Sequence, residues 1–296
     1  MRRRLSWYGW VGLVGIGLSE LGLFLRVEPL TTWFTPLIWT LYILFADALV
    51  RLRRGESLLS RRFPEALAMF VFSDLGWLVF EVYNLRLRNW YYVGVPTQEV
   101  LRTFSFFWSF GTIFPAVFVT QDVLESFGVF EVTHRKLTVH PKVLGAASIV
   151  GLAFLTVPPL LSPPLIHSDL APYLFGFVWL GFILFLEPIH YRWGLPSLVA
   201  EWEQGKPGRT YRLLLAGLIC GLLWEFWNYW AGAKWHYLAP ILHDVRLFEM
   251  PVVGFLGFPP FAIECWLLYH FLRAAVFGKA GPAFNREGAG VSRGND

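Results

Sequence analysis

YRLLLAGLICGLLWEFWNYWAGAKWHYLAP, residues 211–240, decides how this chain is read. The first half is an unbroken apolar run of the kind that crosses a bilayer core, which takes about 20 residues as a helix. The second half sets Glu225, Asn228 and Lys234 among Trp224, Trp227, Trp230 and Trp235. An ionisable side chain at that depth costs roughly 3 kcal/mol or more unless it is paired, hydrated or neutralised, so it stands by default as a hypothesis of function.

Composition supports a membrane setting. Of 296 residues 55% are hydrophobic and 16% charged, and the mean hydropathy is +0.49, too apolar for a soluble domain of this size. Apolar windows predict eight spans, near 7–25, 34–50, 64–85, 103–124, 143–161, 171–189, 211–231 and 249–273. The N-terminal stretch has the basic start of a signal peptide but no A-x-A-like cleavage site, and it carries Glu20 late in the run. It reads as a retained first helix. Nineteen of the 25 Lys and Arg fall on one side of this arrangement, and Arg26, Arg86, Arg88, Arg102, Lys234 and Arg246 on the other. The positive-inside rule then puts both termini in the cytoplasm, which requires an even number of spans. A bacterial inner membrane is the expected location. With the basic residues set between apolar runs, the pI near 9.1 orients helices, and no nucleic-acid partner is expected. Cys220 and Cys265 lie in apolar segments without CxxC or Cys/His spacing, so neither a disulfide framework nor a zinc site is indicated.

The chain repeats itself. A shift of 144 residues places Glu81, Asn84, Pro96, Arg102, Phe104, Phe114 and Pro115 on Glu225, Asn228, Pro240, Arg246, Phe248, Phe258 and Pro259. One local insertion brings Trp90 and Tyr92 onto Trp235 and Tyr237, and a shift of 140 aligns WTLYILFAD (39–47) with WLGFILFLE (179–187). The expected fold is therefore an all-α membrane protein of eight transmembrane helices in two tandem four-helix repeats of the same orientation. The first repeat is 1–125, a cytoplasmic linker follows at 126–142, the second repeat is 143–275, and the Gly-rich tail 276–296 is expected to be disordered.

The repeated polar residues form the candidate site. The i, i+3 spacing puts Glu81 with Asn84, and Glu225 with Asn228, each on one helical face. Both pairs are expected at the outer end of the core, with Glu20 at a similar depth, lining one outward-opening cavity. Glu225, Glu81, Asn228, Asn84 and Glu264 are the candidate catalytic residues. Trp224, Trp227, Trp235, Tyr237, Trp90, Tyr92, Arg246, Arg102, Glu20 and Glu249 are the candidate substrate-binding residues. A plainer reading has the Glu/Asn pairs tie helices together with Arg86, Arg88, Arg102 or Arg246 as counter-charges, and the aromatics form an interfacial belt. The outer-loop residues His167, Asp169, His236, His243, Asp244 and Glu249 match no metal-binding signature. No metal and no cofactor are expected. Asp74 and Glu264 lie deeper, while Asp47 and Glu187, equivalent in the repeat, read as interfacial ion pairs.

FEMPVVGFLGFPPFAIECWLLYHF (248–271), with the preceding WHYLAP, resembles the small integral-membrane lycopene cyclases of carotenoid synthesis, through Trp235, Glu249, Pro251, Pro260 and Glu264. The family's adjacent acidic pair is a lone Glu264 here, and the repeat unit has four spans instead of three. The resemblance implies acid chemistry on an isoprenoid, in which a carboxylic acid in an apolar pocket protonates the substrate and tryptophan faces stabilise a carbocation. Three readings follow: an intramembrane enzyme of cyclase or isomerase type acting on an isoprenoid or other lipid; a transporter or binder of a hydrophobic small molecule; and a structural subunit. An oligomer stays open. No nucleotide loop, HExxH, GxSxG or Asp-rich diphosphate motif occurs.

Overall fold

The computed structural model describes residues 4–161, 170–238 and 244–278. It is mostly helical: α1 (Trp7–Phe24), α2 (Phe34–Arg54), α3 (Leu58–Arg61), α4 (Phe63–Leu87), strand β1 (Trp90–Val93), α5 (Glu99–Gly111), α6 (Ile113–Ser126), α7 (Pro141–Leu161), α8 (Phe175–Trp193), α9 (Leu198–Glu203), α10 (Gly208–Trp230), strands β2 (Lys234–Tyr237), β3 (Arg246–Leu247) and β4 (Met250–Pro251), and α11 (Phe258–Phe277). Among the described residues seven helical stretches are long and apolar enough to cross a membrane: Phe34–Arg54, Phe63–Leu87, Glu99–Ser126, Pro141–Leu161, Ala171–Trp193, Gly208–Trp230 and Val252–Phe277. The first helix, α1, contains Glu20 and five glycines and falls outside that set. The chain has the architecture of a multi-pass membrane protein. The expected disordered tail lies almost wholly outside the described residues.

Helix ends follow local chemistry. Gly55 stops α2 in the left-handed conformation, just after Arg51, Arg53 and Arg54, whose charges suit a helix C-terminus. Two expected spans are corrected. The stretch 103–124 is two helices, broken at Thr112, because Pro115 has no N–H to offer the preceding turn. The stretch 249–273 is α-helical from Phe258, with Pro259 and Pro260 in the first turn, where no N–H is missed; Met250–Pro251 is strand and Val252–Gly257 a 3-10 helix.

Helices α4, α6, α10 and α11 pack together at the centre, with α2 against α6 and α8 against α11. Outside them α1 lies on α2 and α7 on α8. Small residues set both outer crossings. A Cβ on Gly12 would stand 2.6 Å from the Leu41 carbonyl oxygen and 2.7 Å from the Phe45 nitrogen; a Cβ on Gly151 would stand 2.5 Å from the Phe185 nitrogen. Close backbone approach of this kind is how helices associate in lipid, where apolar burial gives little drive. The outward faces stay apolar: Trp7, Val14, Leu18 and Phe24 on α1, and Val143, Ile149 and Leu160 on α7, are exposed, and only 22% of the α7 span is buried. Such faces suit acyl chains.

The two ends of the bundle differ. At one end Arg54 and Arg212 pair with Glu125 at 2.9 and 3.1 Å, and Arg209 pairs with Glu201 at 2.7 Å. Here the expected ion pairs of Asp47 and Glu187 are replaced by hydrogen bonds. Asp47 accepts from Ser57 Oγ (2.7 Å) and the Leu59 amide (3.0 Å), and Glu187 from Ser197 Oγ (2.5 Å) and the Val199 amide (2.9 Å). Each carboxyl thus takes the free donors at the start of a short helix, α3 or α9. At the other end β1 and β2 pair antiparallel, Trp90 opposite Tyr237 and Tyr92 opposite Trp235. Gly94 has φ +66°, and a Cβ there would stand 2.1 Å from the Gly232 carbonyl oxygen; glycine alone fits where β1 leaves this ribbon.

Candidate functional site

The site is assembled at the strand end. Helices α4 and α10 each finish with a Glu and an Asn, and each Asn captures the Trp that follows. Asn84 Nδ2 donates to the Trp90 carbonyl (2.9 Å), while Asn84 Oδ1 accepts from the Asn89 and Trp90 amides (2.8 and 3.1 Å). Asn228 Nδ2 donates to the Trp235 carbonyl (2.9 Å), and Asn228 Oδ1 accepts from the Trp235 amide (3.0 Å). The carboxamides therefore fix the return of the chain into β1 and β2, replacing backbone partners that the turns leave free.

Each Glu takes the aromatic edges that this return delivers. Trp77 Nε1, Trp90 Nε1 and the Tyr92 hydroxyl donate to Glu81 Oε1 at 2.8, 3.0 and 2.5 Å. The Tyr237 hydroxyl donates to Glu225 Oε1 at 2.7 Å and accepts from Trp235 Nε1 at 2.7 Å. Glu225 and Asn228 are 0% and 1% exposed, and Glu225 Oε2 has no hydrogen-bond partner; Glu81 and Asn84 are half-buried. Burial, and then the adjoining carboxyl, push the Tyr92 and Tyr237 phenols well above their ordinary range. Both remain protonated donors at any physiological pH.

In front of these groups lies a cavity of about 110 Å³, room for roughly seven to eleven waters or one small organic group. Six tryptophans line it, Trp39, Trp77, Trp90, Trp179, Trp224 and Trp235, with Tyr92, Tyr237, Phe106, Phe110, Phe258 and Phe261. The hydroxyl residues Thr32, Thr35, Ser105 and Ser109 and the amine of Lys234 complete the lining. Lys234 Nζ is held by Glu249 Oε1 at 2.8 Å, and His236 Nδ1 lies 2.9 Å from Glu249 Oε2. Burial pushes the Glu249 carboxyl up, but Lys234 and His236 outweigh it and hold it below the usual range.

The expected residues divide accordingly. Trp224, Trp235, Tyr237, Trp90 and Tyr92 line the cavity. Glu225, Glu81, Asn228 and Asn84 stand behind the aromatic layer, so the expectation that carboxyls and carboxamides form the wall is corrected: their hydrogen bonds to ring edges and to strand backbone turn them away from it. Trp227 is off the lining; its Nε1 donates to Glu20 Oε1 at 3.1 Å and its ring packs on Trp39 at 5.0 Å. Glu20 is exposed on α1. Arg102 reaches only the Thr97 carbonyl, at 3.5 Å, and Arg246 is exposed in β3, so neither lies at the wall. Neither arginine is hydrogen-bonded to Glu81 or Glu225, whose bonds come from aromatic groups. Glu264 is 0% exposed on α11, one turn from Phe261, and neither of its carboxyl oxygens takes a hydrogen bond. Among the described residues no three His, Cys, Asp or Glu side chains converge as a metal site; His167, Asp169 and His243 lie outside the described residues.

Sequence reading missed Trp39, Trp77, Trp179 and Ser105. Trp39 and Trp179 head the two segments, 39–47 and 179–187, that the shifted alignment matches, which is the signal that could have found them. Each packs on the opposite half of the chain: Trp39 lies 4.8 Å from Trp224, and Trp179 lies 6.1 Å from Phe80. Trp77 has no counterpart, since Gly221 holds the matching position.

Among the described residues the wall carries no carboxyl, imidazole or thiol. Its chemistry is dispersion, ring-face electrostatics and a few hydroxyls, the equipment of binding. Comparison of the chain with protein-family models, with curated proteins and with solved structures finds no match.

Proposed function

We propose that this chain is a multi-pass protein of a bacterial inner membrane in which two tandem four-span units of the same orientation enclose an aromatic cavity for a hydrophobic small molecule or membrane lipid. The cavity carries the reading: six tryptophans from both halves of the chain converge on one space, with no carboxyl on its wall among the described residues. The duplication is supported by paired geometry. Asp47–Ser57–Leu59 and Glu187–Ser197–Val199 make the same bonds at the same sequence spacing, and Asn84–Trp90 and Asn228–Trp235 make the same pair of bonds with the spacing longer by one residue in the second. The register of β1 with β2 is also self-reciprocal: Trp90 faces Tyr237 while their equivalents Trp235 and Tyr92 face each other, as a twofold axis along the membrane normal requires. With α1 counted as a span the total is eight, and the arginine-rich end is cytoplasmic.

The test is mass spectrometry of small molecules that purify with the protein, in wild type and in Ser105→Leu, which takes volume from the cavity. A near-stoichiometric hydrophobic compound, lost in the variant while thermal stability is kept, supports the reading. No such compound, or one retained in the variant, refutes it.

A second reading is favoured by the Tyr237–Glu225 contact. Tyr237 is on the wall, and Glu225 behind it keeps one oxygen free of partners; the pair can pass a proton between the buried carboxyl and a bound isoprenoid. Loss of a lipid or pigment product in Glu225→Gln, at unchanged protein level, favours the enzyme. An unchanged product profile removes Glu225 as acid or base.

A further inference from the structure

We infer that the aromatic cavity selects a quaternary ammonium group, the weakly hydrated, permanently charged head of a choline-type compound. The inference rests on the binding reading above and names the class of its ligand. Five aromatic side chains of the wall have their polar edges engaged elsewhere: Trp77, Trp90 and Tyr92 by Glu81, Tyr237 by Glu225, and Trp235 by Tyr237. With those N–H and O–H groups satisfied, the rings offer carbon surface to the cavity, and ring faces carry the negative lobe of the aromatic quadrupole. Donation into a carboxyl oxygen polarises the rings of Trp77, Trp90, Tyr92 and Tyr237 further in the same direction. Three donors converge on the single oxygen Glu81 Oε1, which is the role of an acceptor.

The charges near the cavity agree. Among the described residues Lys234 is the one formally charged residue on the lining, and Glu249 neutralises it, whereas Glu81, the acceptor of three aromatic donors, sits behind the rings. An anion would meet an aromatic wall backed by the Glu81 carboxyl. A primary ammonium needs hydrogen-bond acceptors to replace its water, and among the described side chains the wall offers chiefly the hydroxyls of Thr32, Thr35, Ser105 and Ser109. A quaternary ammonium needs none, and aromatic enclosure is the arrangement that binds it. The source is either a choline lipid headgroup or a free quaternary amine; both present the same chemistry.

The experiment measures tryptophan emission of the purified full chain during titration with tetramethylammonium chloride, against sodium chloride as ionic control and against 3,3-dimethyl-1-butanol, the uncharged shape analogue of choline. Saturable tetramethylammonium binding, about tenfold tighter than the neutral analogue and with that preference reduced in Glu81→Gln, is expected. Equal binding of the two overturns the inference and leaves a hydrophobic cavity standing. Binding of neither removes the binding reading as well. The comparison within wild type holds even if Glu81→Gln fails to fold. Repeating it in phosphatidylcholine and phosphatidylglycerol nanodiscs separates the sources: competition in the first alone identifies a lipid headgroup, and equal binding in both a free amine.

Discussion

Replacing Tyr237 by phenylalanine should destabilise the protein more than the equivalent change at Tyr92, although the two tyrosines hold matching places. The Tyr237 hydroxyl donates to Glu225 and accepts from Trp235. Glu225 is fully buried, and its second oxygen already lacks a hydrogen-bond partner. Removing the hydroxyl takes away a bond to a carboxyl and one to an indole, roughly 2–4 kcal/mol together, because a buried polar group left unmatched forfeits its hydration too. At Tyr92 the loss is cushioned. Glu81 keeps Trp77 and Trp90 as donors, and Trp90 Nε1, which also donates to Tyr92 at 3.1 Å, keeps Glu81. About 1 kcal/mol is expected there. Reversible unfolding in mixed detergent micelles, followed by tryptophan emission, measures both. A Tyr92→Phe loss equal to or larger than that of Tyr237→Phe would refute the argument that the two halves satisfy their carboxyls unequally.

Three other outcomes can be checked. Asn228→Ala strips the Trp235 amide and carbonyl of their partners at a site 1% exposed; a loss of about 2–3 kcal/mol should come with faster amide exchange in β2, and unchanged exchange would contradict the pinning role. Gly12→Leu places a side chain on the Leu41 carbonyl, so α1 should separate from α2 and protein yield fall several-fold, whereas Gly17→Leu, with open space around its Cβ, should be tolerated. The Glu249 tie is pH-dependent with a definite sign. Its carboxyl lies below the ordinary 4.5, so its contribution is whole above that value and is lost as pH falls through the folded value; exchange of β2 amides, corrected for intrinsic rate, should rise only on the acid side, and a rise between about pH 6 and 8 would point to another group.

The amino-acid sequence by itself determined the solvent, the approximate spans and the residues that recur. Apolar run length is a local property, which bilayer thickness converts directly into helices; the recurrence of Glu, Asn, Trp and Tyr needs only a shifted alignment. Local chemistry also held the helix breaks, since Pro115, Pro259 and Pro260 forbid the preceding turns. What no local pattern contains is which way a side chain faces once distant segments meet. Glu81 and Glu225 read as cavity residues because an acid in an apolar helix suggests exposure to a site. The return of the chain into β1 and β2 brings the Trp90, Tyr92 and Tyr237 edges onto those acids and leaves these aromatic residues on the wall. Trp39 and Trp179 likewise join the site through ring contacts with the opposite half of the chain, Trp39 with Trp224 and Trp179 with Phe80, which no local pattern contains. Packing in three dimensions decided that the acids stand behind the tryptophans: their donors Trp77, Trp90, Tyr92 and Tyr237 are near them in the chain, but which edge of each ring meets the acid and which surface is left to the cavity is set only when the strands and helices of both halves meet.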